Sequence, residues 1–200
     1  MAQDEEKRGQ LNKWAEAAGR YELAGWERLP ELELYMDQVI TFMNRQLEPF
    51  ATEGERLLTP SMINNYVKDG VLPRPEKKKY NRDHIAMLLM ICTLKSVLSL
   101  PEIDALVHGL TEGRAVCDQY PEFARAHDQA LREAAARLGD AAGADAAALY
   151  RLAAQLALEA NARRAAAARI LYSLADPEKE QEKAEKKDTE KKEKEREKEK

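Results

Sequence analysis

Residues 59–82 read TPSMINNYVKDGVLPRPEKKKYNR, and the fold of the chain turns on them. Thr59 is a favoured N-cap residue, and Pro60 suits the first helical position, where its missing N–H costs nothing. The pattern predicts a helix to about Asp69, ended by Gly70, which can take the left-handed conformation a helix stop requires. At 100° per residue, Met62, Ile63, Tyr66 and Val67 gather within about 140° of arc and form the packed face. Ser61, Asn64, Asn65 and Lys68 are left on the outer side. A merely solvated helix face is usually rich in Glu and Lys. Two adjacent asparagines oppose helix formation, so the fold alone does not explain them.

Val71 and Leu72 follow, and then Pro73 and Pro75 impose an extended turn. The stretch reads as a two-stranded hairpin, residues 71–74 against 78–80, placed at an edge by its prolines. Asn81 caps the next helix, with Asp83 in its first turn. Within residues 68–82 the cations Lys68, Arg74, Lys77, Lys78, Lys79 and Arg82 outnumber Asp69 and Glu76, giving a local +4 on a chain whose net charge is -4. A run of lysines is most often a solvated loop. Beside an asparagine-faced helix it has the composition of a phosphate-holding element.

Upstream, Leu11, Trp14, Ala15 and Ala18 space a short amphipathic helix stopped at Gly19, with Trp14 expected to be buried. Pro30 opens a helix over residues 31–48 whose stripe is Leu32, Tyr35, Met36, Val39, Ile40 and Met43. A polar loop over residues 50–58 then leads to Thr59. Downstream, RDHIAMLLMICTLKSVLSL is apolar nearly all round, so it belongs at the centre of the fold or under a second subunit. Cys92 reads as a small core residue and His84 as a surface residue of the first turn. Ser99 caps the helix SLPEIDALVHGL. Pro121 is expected to begin a helix to about Leu138, and residues 139–144 form a small-residue linker. Asp145 then caps an alanine-rich helix to about Ala175, an arm that either docks or dimerises. Residues 178–200 hold ten acidic and ten basic side chains and no apolar face. Such a segment cannot fold against a core, and being net neutral it is a poor anchor for DNA.

Composition bounds the rest. Apolar residues make up 44 % of the chain, enough for a core. Two cysteines, Cys92 and Cys117, do not make a disulfide framework, and the polar N-terminus has no apolar signal region. A cytoplasmic setting is expected, and no stretch is apolar enough to cross a bilayer. His108, His127 and Cys117 lack tight ligand spacing, so no metal is expected. With no phosphate-binding glycine loop and no nucleophile–base motif, the chain is not expected to be an enzyme or to carry a cofactor.

The order of cap, short helix, glycine, proline turn, basic hairpin with Tyr80, capped helix and Ser-Leu-Pro-Glu-Ile resembles the winged helix-turn-helix of MerR-type regulators. Tyr66 precedes Gly70-Val71-Leu72, Lys78-Lys79-Tyr80 stands at the Arg-x-Tyr place, and Leu100-Pro101-Glu102-Ile103 at the last. Asn64 stands where that pattern has an arginine. The segments LPELELYMDQVITFM, LTPSMINNYVKDGVLPRPEKKKYNRDHIAMLLMI and LKSVLSLPEI are more closely similar to a bacterial family, domain of unknown function 1836, over residues 26–110. The resemblance implies a mainly α fold, a MerR-like winged helix-turn-helix with a small β-hairpin wing over residues 26–115. An N-terminal extension would occupy residues 1–25, a helical arm residues 116–175, and the charged tail residues 176–200.

The function expected is that of a bacterial transcriptional regulator on duplex DNA. Ser61, Asn64, Asn65 and Lys68 would face the bases, where asparagine pairs bidentately with adenine. Arg74, Lys77, Lys78, Lys79, Tyr80 and Arg82 would hold phosphates. A homodimer is expected, joined by the arm. The alternative is a winged fold that binds a protein instead of DNA, through its arm or tail, favoured by the overall negative charge.

Overall fold

A computed structural model describes residues 2–48 and 57–175. Phe50, most of the loop before Thr59, and the Glu/Lys tail lie outside the described residues. The described residues form seven α-helices: α1 (Ala2–Arg20), α2 (Met36–Leu47), α3 (Pro60–Lys68), α4 (Arg82–Leu94), α5 (Leu100–Thr111), α6 (Val116–Ala141) and α7 (Ala146–Leu174). A single 3-10 turn, Trp26–Arg28, precedes α2.

The apolar run of residues 85–92 becomes the buried centre. Ile85, Leu88, Leu89, Met90 and Ile91 are all fully buried in α4. Burying each such side chain contributes roughly 1.5–3 kcal/mol. Helices α2, α5 and α6 pack around α4, so the chain itself covers the all-round apolar surface. Cys92 lies in this core, and burial pushes its thiol up to about 12.

Several predicted caps form. The Thr59 hydroxyl accepts from the Met62 N–H at 3.3 Å. The Asn81 carboxamide accepts from the His84 N–H at 3.1 Å. Ser99 pairs reciprocally with Glu102, and Asp145 accepts from the Ala148 N–H at 2.7 Å. Gly70 has φ +80°, and its N–H bonds the Val67 carbonyl while Leu72 N–H bonds that of Tyr66.

The β-hairpin wing is not present. No strand forms among the described residues, and the only pairings are isolated bridges between Leu34 and Tyr80 and between Glu76 and Lys79. Pro73 and Pro75 have no N–H to give a ladder. Tyr80 instead exchanges both backbone bonds with Leu34, at 2.8 and 2.9 Å. The same pairing shortens α2. Residues 31–35 stay non-helical, Tyr35 becomes the N-cap, and Leu32 is left 81 % exposed instead of joining the stripe.

The arm also departs from expectation. Helix α6 starts at Val116, with Pro121 inside it, and runs through Gly139 to Ala141. It is an integral wall of the fold, since Tyr120 and Ala124 belong to the core. The Tyr120 hydroxyl donates to the Ala24 carbonyl at 2.6 Å, and the buried Asp128 carboxylate accepts the Leu23 N–H at 2.9 Å. Helix α1 lies along α6, not on the domain that follows it. A Cβ on Gly19 would meet that of Ala135 at 3.8 Å, and one on Gly139 that of Ala15 at 3.9 Å. Small residues bring the two helices close, with Ala15 and Ala18 buried while Trp14 stays 44 % exposed.

Candidate nucleic-acid interface

Helix α3 presents two unlike faces. Ile63 and Tyr66 are buried, and burial, with the neighbouring Cys92, pushes the Tyr66 phenol up to about 12. Ser61, Asn64, Asn65 and Lys68 are all exposed. None of these four has a side-chain hydrogen bond or ion pair to another described residue. The outer face is therefore polar, small and uncommitted.

The basic stretch forms a two-residue turn. The Lys79 N–H bonds the Glu76 carbonyl at 2.8 Å, and the central residues Lys77 and Lys78 have φ of 48° and 64°. Positive φ at both central positions is what a type I′ turn demands, and glycine or asparagine normally supplies it. Each lysine there carries strain of about 1–2 kcal/mol. The turn thrusts both side chains into solvent.

Its place relative to α3 is defined by an open groove of about 570 Å³ lined by Tyr35, Met36, Asp37, Ile40, Pro60 and Lys78. Pro60 is the first residue of α3, so Lys78 and the start of that helix border the same groove. The sequence does not mark Tyr35 and Asp37 as groove residues, because Tyr35 fits the packed stripe of a helix expected to start earlier. Tyr35 is 52 % exposed.

The other expected phosphate contacts divide. Arg74 is exposed, with no ion pair to a described residue. Lys79 is within 3.8 Å of Glu33 and stands over the Tyr35 ring at 5.7 Å. Arg82 pairs with Glu31 at 3.3 Å and stacks over Trp26 at 5.4 Å. These two acids come from outside the stretch and lower its local balance from +4 to +2. Tyr80 is only 3 % exposed, so its ring belongs to the core and not to a phosphate-holding surface.

His84 likewise departs from its surface assignment, being 7 % exposed. Its Nδ1 accepts the Asn81 N–H at 3.2 Å, and its ring meets Tyr80 edge-on with centroids 5.6 Å apart. Burial lowers its pKa, against the raising effect of the Arg74 and Pro73 backbone beside it. It therefore braces the turn and the start of α4 together. A surface reading fits its place in a polar first turn, and nothing in the spacing marks it as buried.

Among the described residues, no three His, Cys, Asp or Glu side chains are placed to hold a metal ion. No described helix is long and apolar enough to cross a membrane.

A family model, Domain of unknown function (DUF1836), matches residues 24–124. The chain belongs to that family. No curated protein and no solved structure matches it. The DUF1836 span runs from Ala24 to Ala124 and so encloses the Tyr120–Ala24 hydrogen bond that closes the fold. All of the α3 face, the turn and the groove lie inside DUF1836, while all of α1, α6 beyond Ala124 and all of α7 lie outside it.

Proposed function

We propose that this DUF1836 protein binds duplex DNA, with α3 in the major groove and the Lys77–Lys78 turn on the flanking phosphates. The observation that carries the reading is the closeness of two exposed polar surfaces, on α3 and on the turn, whose Pro60 and Lys78 line one groove. One is an exposed helix face of Ser61, Asn64, Asn65 and Lys68; the other is a strained turn whose two lysines are exposed and make no ion pair with a described residue. Asparagine on a major-groove helix can donate to adenine N7 and accept from adenine N6. Lysines beside it add affinity without sequence choice. Arg74 and Lys68 complete the set. Lys79 and Arg82 contribute less, because Glu33 and Glu31 already neutralise them. The bacterial regulatory role follows from this reading and shares its test.

Selection of bound sites from random duplex DNA tests it. Wild type is expected to yield an adenine-containing consensus, and Asn64→Ala to lose preference at one position. Lys78→Ala is expected to weaken binding to every sequence. Recovery of unselected DNA by wild type at low salt would refute the base-facing role of α3.

A protein-binding module is the second reading. It is favoured by the apolar lining of the groove, from Tyr35, Met36 and Ile40, and by the acids around the turn. A fixed protein partner recovered in place of DNA, and lost on Tyr35→Ala, would favour it.

A further inference from the structure

The acid beside the lysine turn is placed there by the backbone. Leu34 and Tyr80 exchange both main-chain hydrogen bonds, at 2.8 and 2.9 Å, as one antiparallel pair. In such a pair Tyr35 stands directly opposite Lys79, and Glu33 lies diagonal to it on the same face. The side chains follow: the Lys79 ammonium is 5.7 Å from the centre of the Tyr35 ring and 3.8 Å from the Glu33 carboxylate. Helix α2 does not need Glu33 at its start, because Tyr35 and Gln38 cap it. Glu33 and Lys79 are 51 % and 37 % exposed, and an ion pair so open to water does little for stability. Its effect falls on the ammonium.

The neighbouring pair is built differently. Glu31 meets Arg82 at 3.3 Å, but the Arg82 side chain is only 20 % exposed and stacks over Trp26 at 5.4 Å. Packing fixes that guanidinium whether or not the acid is present. Lys79 instead ends a flexible four-carbon stem in a compact charge, and it follows directly on the exposed Lys77 and Lys78. Once released from Glu33, it can swing to a phosphate that those two lysines already approach.

We propose that Glu33 regulates the strength of DNA binding by withholding Lys79 from the phosphates, an inference that rests on the DNA reading above. Phosphate contacts add affinity for every sequence alike. A carboxylate on a segment pinned to Tyr80 competes for the ammonium wherever the protein sits on DNA. The withheld contact lowers the hold on selected and unselected duplex by the same factor, so sequence choice stays with α3. Differences of this kind lie mostly in the dissociation rate, so unselected DNA is released sooner. Glu33 is a positioning residue in this account: it acts on DNA only through Lys79.

Glu33→Gln tests this, since the amide keeps the size of the side chain and removes its charge. The slope of log affinity against log salt should steepen by about 0.9, on a selected and on an unselected duplex alike. A tenfold drop in salt then strengthens the variant about eightfold more than wild type. In a Lys79→Ala background, Glu33→Gln should leave the slope where it is, the mark of an effect that passes through Lys79. Glu31→Gln removes the same charge from beside a packed cation and should steepen the slope less. An unchanged slope in Glu33→Gln overturns the proposal, as does a steepening that survives the loss of Lys79 or that Glu31→Gln matches. In each of these cases the DNA reading stands if Lys78→Ala still weakens binding. No duplex binding by wild type and by Glu33→Gln alike overturns both.

Discussion

At the residue scale, His84 is the position where chemistry and fold meet most closely. Its imidazole lies against the Asn81 cap, and burial there disfavours the charged form. Above pH ~6.5 it is neutral in both folded and unfolded chains. Below that value the unfolded chain takes up a proton that the folded chain refuses until its lowered pKa is reached. The unfolded state then binds more protons, so stability falls as pH drops through this window and levels off below the folded pKa. Urea midpoints at pH 7.5, 6.5 and 5.5 should fall more steeply for wild type than for His84→Gln, whose amide oxygen keeps the cap without titrating. Equal slopes would show that His84 is not held neutral. Tyr120 makes the other critical hydrogen bond. Tyr120→Phe leaves the buried Ala24 carbonyl unpaired and should destabilise by about 1–3 kcal/mol in urea unfolding, with little change in DNA affinity. Neither role is legible in the sequence. His84 sits among polar neighbours in a helix's first turn, and the partner of Tyr120 lies 96 positions away in the chain.

At the element scale, the caps are readable because they are local: Thr59, Asn81, Ser99 and Asp145 each bond within three residues of themselves. The hairpin is not, because strand pairing is a long-range choice. Tyr80 has two candidate partners in the sequence, the preceding proline-broken segment and Leu34, and it pairs with Leu34. With Glu76 and Lys79 closing the turn, a hairpin would set Pro75, which has no N–H, opposite Tyr80, whereas Leu34 offers both an N–H and a carbonyl. The same choice shortens α2 and turns the three lysines into a tight turn. The strain in this turn makes a prediction that separates folding from function. The double variant Lys77→Asn, Lys78→Gly places the favoured type I′ pair at positions of φ 48° and 64°. It should raise stability by about 1–2 kcal/mol in urea unfolding while weakening DNA binding. Lower stability would mean that the lysines make interactions which outweigh their backbone strain.

At the scale of the whole molecule, α6 ties the fold together. The apolar surface of α4 can be read from its sequence, but not what covers it, since an all-round apolar helix fits either a central position or a subunit interface. Tyr120, Ala124 and Asp128 show that α6 supplies the cover within one chain. A fragment of residues 26–115 should therefore fail to unfold cooperatively, whereas residues 2–141 should show a single sigmoidal transition by circular dichroism. A cooperative transition in the shorter fragment would mean that α6 is an attachment to an already complete domain.

The central claim is that a helix face and a lysine turn act together on duplex DNA, and the salt dependence of affinity tests it most directly. With a selected duplex, the slope of log affinity against log salt for wild type should exceed that of the double variant Lys77→Ala, Lys78→Ala by roughly 1.8, about 0.9 for each phosphate no longer neutralised. Asn64→Ala should leave that slope unchanged while lowering the affinity for the selected duplex. A slope that does not change when both lysines are removed, or a wild-type protein that shows no salt-dependent retention of duplex DNA, would contradict the account.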